Sequence, residues 1–190
     1  YSVEITGLTA EGEGVARVDG QVVFVPGVIP GERCKIKIDH VGRTCAYASL
    51  VWVEESSVHR VTPECESFGK CGGCVFWHMD YACELEQKRR RVQDALSRIG
   101  GIDFPDLQIT GSEHTYGYRN KVQFPVQVQN GKAVAGFYKA GSHTVIPITD
   151  CKIQPGVAKT IRAAVLSWME KENVPAYDER THTGLVRHIY

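Results

Sequence analysis

Over residues 1–54 the apolar positions come in short alternating runs: Val15–Val18, Val22–Val25, Cys34–Ile38 and Ala46–Val53. A period of two marks a strand with one buried face, and nothing here repeats at the helical 3.6. The breaks between runs are turn residues. Asp19-Gly20 suits a two-residue hairpin, whose central positions need positive φ, and Pro26-Gly27 and Pro30-Gly31 interrupt the chain again. Several short strands at this spacing predict a small antiparallel barrel, an architecture often used to bind oligonucleotides. Gly12-Glu13-Gly14 precedes no helical pattern, so it reads as a strand bulge and not as a phosphate loop.

From Glu84 to Ile99 the period changes. Leu85, Val92, Leu96 and Ile99 share one face of a predicted amphipathic helix, and Gly100 is placed to end it. Lys88, Arg89, Arg90 and Arg91 crowd the other face. Glu84 and Glu86 each precede a basic partner by four residues, so intrahelical ion pairs account for part of this run. A solvated face is its first reading and an RNA-phosphate patch its second. After Tyr116 the alternation returns, with Val122, Phe124, Val126 and Val128 facing one way, then Asn130-Gly131, then Ala133–Tyr138. This is a hairpin with an Asn-Gly turn, and Pro125 predicts that its first strand is an edge or carries a bulge. A strand near Thr144–Ile148 leads to Cys151. Pro155 then opens a helix with Val157, Ile161, Val165 and Trp168 predicted on its buried side. The second half is therefore a separate α+β unit.

Composition adds few constraints. The 22 basic and 22 acidic residues cancel, so RNA binding, if present, must come from local patches. No run approaches the roughly 18 apolar residues of a membrane span, and no secretory signal is present, which predicts a cytoplasmic monomer with no membrane partner. The chain starts at Tyr1 and stops at Tyr190 inside the strand-like run Gly184–Tyr190, which predicts a fragment of a longer protein.

Seven cysteines without an export signal argue against a disulfide framework. Three of them, Cys65, Cys71 and Cys74, form C-x5-C-G-G-C. The two glycines let the backbone wrap tightly and aim amides inward, an arrangement that suits sulfide-bearing clusters. A fourth ligand is required, and two compete. His78 would complete a local zinc site of three thiolates and one imidazole; the distant Cys151 would complete an all-thiolate site for zinc or iron–sulfur. Spacing alone favours zinc, the commoner use of clustered thiols. Cys34, Cys45 and Cys83 read as ordinary buried cysteines.

These residues carry a resemblance over essentially the whole chain to the bacterial 23S ribosomal RNA (uracil-5-)-methyltransferase family. Gly12-Glu-Gly-Val-Ala-Arg, Val22-Val-Phe-Val-Pro-Gly and Pro30-Gly-Glu are similar to the TRAM domain, a small RNA-binding barrel. Cys65-x5-Cys71-Gly-Gly-Cys74, with Tyr81 and Lys88 beyond it, resembles the family's cluster segment, and Thr149-Asp-Cys-Lys-Ile matches the position of its distant fourth ligand. Gly117-Tyr-Arg-Asn-Lys121 and Gly136-Phe-Tyr-Lys-Ala-Gly-Ser-His143 resemble central-domain motifs. Cys83 stands where the family pattern has a polar residue.

The resemblance implies a [4Fe–4S] cluster held by Cys65, Cys71, Cys74 and Cys151, with a structural role. It implies methyl transfer from S-adenosylmethionine to carbon 5 of a uridine, by a nucleophilic cysteine and a carboxylate base. Both groups and the S-adenosylmethionine site belong to a carboxyl-terminal domain outside this chain, so the chain alone is predicted inactive, with no catalytic residue. The fold class is a β barrel plus α+β: an OB-like TRAM barrel at 1–58, an iron–sulfur segment and amphipathic helix at 59–100, and an antiparallel α+β central domain at 101–190. RNA, specifically 23S rRNA, is the expected partner, because in this family barrel and cluster accompany the ribosomal enzymes while the transfer-RNA relative lacks both. Arg119 and Lys121, then Arg187 and His188, are the candidate RNA contacts. Tyr116, Tyr118 and Phe137 are assigned to core packing ahead of base stacking. A non-enzymatic zinc-stabilised RNA-binding module, with His78 as fourth ligand, is the competing function. An electron carrier is disfavoured by its setting, and a radical S-adenosylmethionine enzyme by the x5 spacing.

Overall fold

A computed structural model describes residues 1–190, and the chain separates into two compact units. The first comprises 1–64 and 75–111, the second 65–74 and 112–190. The segment read from sequence as 59–100 is thus shared between them.

In the first unit, strands β1 (Ser2–Glu4), β2 (Gly7–Leu8), β3 (Gly14–Val18), β4 (Gln21–Val25), β5 (Arg33–Val41) and β6 (Cys45–Glu55) follow in order. They pair as β1-β5-β6-β4-β3-β2. β1 and β2 are two halves of one kinked strand: its start pairs with β5, its end with β3, and the Thr6 amide bonds the Val15 carbonyl between them. The sheet therefore closes on itself as a five-stranded barrel. β4 and β6 run parallel, Val22 opposite Cys45 and Phe24 opposite Tyr47, so the all-antiparallel expectation is corrected at this one seam. It follows from the connection: β5 intervenes between β4 and β6 in the chain and reverses direction twice. Inward positions fill the core with Val3, Ile5, Ala16, Val23, Val25, Val28, Cys34, Ile36, Ala46 and Ala48.

The turn chemistry is local. Asp19 and Gly20 take φ 50° and 83° between β3 and β4, as a two-residue hairpin requires. Gly12-Glu13-Gly14 is not a bulge: Thr9 and Gly12 close a turn, and Gly14 pairs regularly with Val25. Gly14 is needed for packing, since a Cβ there would sit 2.1 Å from a Val28 methyl.

Buried in this unit is one ion pair. Glu32 is 0% exposed and receives Arg60 Nε at 2.5 Å and Nη2 at 2.6 Å, with the Ile29 amide at 2.9 Å. Burial alone would raise the Glu32 carboxyl, but Arg60 and the Ile29 and Ser57 amides outweigh it and the net shift is downward. A second buried group, His78, makes a 3.1 Å Nε2 hydrogen bond with the Val28 carbonyl, and burial holds its pKa down.

Helix α1 (Tyr81–Asp94) is capped by Asp80, whose carboxylate accepts from the Cys83 amide at 2.8 Å. It seats Cys83 beside Ile29 and Met79, and then ends in a wider π turn over Ala95–Ile99. The predicted apolar stripe is corrected here. Val92 and Ile99 are exposed, Ile99 by 88%, because only the first turn of the helix has barrel beneath it.

In the second unit, β7 (Phe124–Gln129), β8 (Lys132–Tyr138), β9 (Val145–Pro147) and β10 (His188–Ile189) pair as β10-β7-β8-β9. β7 is an inner strand, against the reading of Pro125 as an edge marker. The ladder to β8 begins only at Val126, so the missing Pro125 amide leaves no partner waiting. Gly136 on β8 is obligatory, since a Cβ would lie 1.8 Å from the Ile146 carbonyl oxygen.

Helix α2 (Gly156–Lys171) covers the sheet with Ala158 and Met169 buried and Val165 and Leu166 half-buried. The predicted face was rotated by one position: Val157, Ile161 and Trp168 are 60%, 47% and 50% exposed. The sheet selects the small Ala158 for close approach, which turns Trp168 outward. No helix is long and apolar enough to cross a membrane.

Candidate metal centre and nucleic-acid surfaces

Cys65, Cys71, Cys74 and Cys151 all lie in the second unit and are free, half-buried thiols. Two backbone bends hold them there. Ser67 accepts the amides of Lys70 and Cys71, and the Gly72 amide bonds the Tyr138 carbonyl, fixing the C-G-G-C turn on the end of β8. The loop 117–119 zips onto 152–153 through the Gly117 and Arg119 amides, fixing Cys151 from the other side.

Amide donors then point at sulfur. The Gly73 N–H donates to Cys71 Sγ at 3.3 Å, and the Ile153 and Gln154 amides act on Cys151. Arg119 donates to the Gly73 carbonyl at 3.4 Å; its charge favours the thiolates of Cys71, Cys74 and Cys151. Burial nevertheless raises all three, Cys74 to about 11, and each thiolate raises its neighbours. Four cysteine sulfurs gathered in one unit, met by amides and one guanidinium, form a soft donor set suited to a thiophilic metal. No three His, Cys, Asp or Glu side chains close round a single ion.

His78 belongs to the first unit, where it is buried with Nε2 on the Val28 carbonyl. Of the residues singled out as RNA contacts, Arg119 is committed to the thiol loops. Lys121 is exposed. Arg187 pairs with Glu179 at 3.2 Å and lies over the Tyr177 ring at 5.4 Å, while half-buried His188 packs on Tyr190. Tyr116 and Tyr118 are exposed, which corrects their assignment to the core; Phe137 does pack, on Phe124 at 5.3 Å. The basic run on α1 is largely neutralised by pairs from Lys88 to Glu84 and from Arg89 and Arg90 to Glu86.

Sequence reading missed an aromatic row on the outside of the barrel. Phe24, Tyr47 and His40 are cross-strand neighbours on β4, β6 and β5, with ring centroids 5.6 Å and 6.4 Å apart. Lys37 and Arg17 project from the same wall, where alternation with buried Ile36 and Ala16 turns them outward. The signal was present as an aromatic at an outward position of each strand.

Residues 1–51 match the TRAM domain family. Over 189 residues, all of this chain, 41% are identical to an uncharacterized RNA methyltransferase of Clostridium tetani, and 38% to one of Caldanaerobacter subterraneus. One from Nostoc is 38% identical over 98% of the chain. The chain is thus similar over its whole length to proteins named RNA methyltransferases. It spans about two fifths of the length of these relatives, 41% or 42% of each. The fold of the chain also resembles the crystal structure of Pyrococcus abyssi tRNA (uracil-54, C5)-methyltransferase in complex with S-adenosyl-L-homocysteine. The TM-score is 0.68 at 21% identity, covering 98% of this chain and 41% of that one. Because that likeness takes in the barrel, a barrel does not by itself separate ribosomal from transfer RNA enzymes.

Proposed function

We propose that this chain is the RNA-placing and cluster-bearing part of an S-adenosylmethionine-dependent enzyme that forms 5-methyluridine in RNA, with 23S rRNA as the substrate the motif resemblance favours. The observation that carries the reading is the thiol set of the second unit, three cysteines in ten residues and a fourth about eighty residues on, with the Gly73 amide on Cys71 Sγ and Arg119 on the Gly73 carbonyl. Those four residues fit a [4Fe–4S] group: the donors are all sulfur, and the amides and Arg119 offset the negative charge such a cluster carries. When bound, the group would act as a tie and not as a reagent. It would clamp 65–74 to 151 and remove much unfolded-chain entropy from the second unit.

The chain's own residues place RNA. Phe24, Tyr47 and His40 offer stacking faces, and Lys37, Arg17 and Lys121 offer phosphate contacts. The methyl donor site, the nucleophile and the base are assigned to the part of the relatives' length that this chain does not span, so the chain alone is inactive. RNA methylation is work of the cell interior, and a cytoplasmic setting goes with it.

Iron, sulfide and zinc analysis of anaerobically purified chain, for the parent and Cys151→Ser, tests this. About four irons and four sulfides, lost in the variant, is the expected result. One zinc retained in the variant would sink the cluster and leave a zinc-stabilised RNA-binding module.

A further inference from the structure

The second unit contains a small cavity at the start of α2, lined by Thr149, Asp150, Gln154, Gly156, Lys159 and Arg162, and by Cys151 alone among the four cysteines. Gln154 is 7% exposed and its Nε2 has no hydrogen-bond partner. A buried donor without an acceptor is rare in a native fold and points to something that arrives. Three further features converge on the same spot. α2 is sixteen residues long, and Pro155 at its N-cap offers no side-chain acceptor; the Ala158 amide bonds the Pro155 carbonyl at 3.0 Å, which leaves the Gly156 and Val157 amides without a side-chain cap. Lys159 stands on the first turn, and Arg162 on the next gives one hydrogen bond, to the Thr149 carbonyl at 3.2 Å, leaving the rest of its guanidinium fork. The lining carboxylate, Asp150, is already engaged by Lys152 at 3.2 Å and Lys159 at 3.9 Å. The cavity holds about 20 Å³, room for one water-sized oxygen.

Donors from a side-chain amide, a helix start and two cations, around space for a single oxygen, describe a socket for an anionic oxygen. We infer that it receives one non-bridging oxygen of a phosphate group, with the body of the phosphate at the mouth between Lys159 and Arg162. One oxygen's room suits a phosphodiester touching in passing better than an enclosed free ion. On the RNA-binding reading above, on which this choice of source rests, the phosphate belongs to the substrate's backbone.

The full chain, its Gln154→Leu, Arg162→Met and Arg162→Lys variants, a short fluorescent single-stranded RNA and inorganic phosphate form the test. RNA affinity is measured across a salt series, and melting temperature across a phosphate series, after far-UV dichroism and iron content confirm that each variant folds as the parent does. Arg162→Met is expected to weaken RNA binding about tenfold and to make the slope of log affinity against log salt shallower by roughly 0.7, one single-strand phosphate contact. Arg162→Lys restores that slope. Gln154→Leu weakens binding several-fold at unchanged slope, since it removes a neutral donor. If the parent binds RNA and the folded variants match it in affinity and slope, with no phosphate effect, the cavity holds only water and the inference is overturned. If the parent binds no RNA, yet phosphate raises its melting temperature and not that of Arg162→Met, the socket stands with free phosphate as its ligand. In that outcome it is the RNA reading that fails.

Discussion

The two units reach stability by different routes. The barrel unit closes ten buried residues inside five strands and seals one end with the Glu32–Arg60 pair. The other unit buries seven in its sheet–helix core, while Val157, Ile161 and Trp168 stand outward on α2. A small core leaves little surplus over chain entropy, and such units commonly recruit a cross-link or a metal. The four thiols sit in the unit whose apolar packing is the thinner, where a cross-link has the most to add.

The largest effect expected is on that contrast itself. Removing iron with a chelator under reducing conditions should strip hydrogen-exchange protection from amides of β7 and β8 while leaving β3–β6 protected; equal loss, or none, would break the contrast. Next comes Arg60→Met, which strands the Glu32 carboxylate and should cost the barrel unit about 3–5 kcal/mol in urea unfolding. The same pair sets an acid dependence. The folded Glu32 pKa lies below its ordinary 4.5, so its contribution is complete above 4.5 and is lost as pH falls through the folded value. Glu32→Gln, itself destabilised, should show a flatter acid limb; an unchanged limb would refute this. In the second unit, Met169→Ala should cost about 2–5 kcal/mol and Trp168→Ala within about 0.5, reversing the order their sizes suggest. On binding instead of stability, Tyr47→Ala is expected to weaken single-stranded RNA binding by about 1–3 kcal/mol at unchanged melting temperature. Full retention of affinity would remove the barrel wall from the RNA surface.

Much of the strand pattern was legible because it is local. Asp19-Gly20 and Asn130-Gly131 take the positive φ their turns need, and alternation in β3–β6 puts Ala16, Val23 and Ala46 inside. What failed was whatever depends on a partner distant in sequence. The phase of α2 is set by which small residue the sheet admits, and hydrophobicity alone points to Trp168 and not to Ala158. The exposure of Val92 and Ile99 depends on how far the barrel extends beneath α1. At the candidate centre, the cysteine grouping was visible as spacing. The placement of Arg119 among the thiols was not, because the 117–119 and 152–153 loops meet only in the fold. The Gln154 socket left no trace in sequence, since an unpaired amide is defined by its surroundings.

The kinked first strand has a consequence for synthesis. Its start pairs with residues 33–35, and β5 in turn needs β6 as far as Glu55. The β2–β3, β3–β4 and β5–β6 pairings are local, so only the β1–β5 and β4–β6 seams join segments well separated in the chain, and those two seams set the slow step of closure. On the ribosome the barrel can only close after the whole of β6 has emerged. Until then the nascent amino-terminal strand remains an open edge in need of shelter.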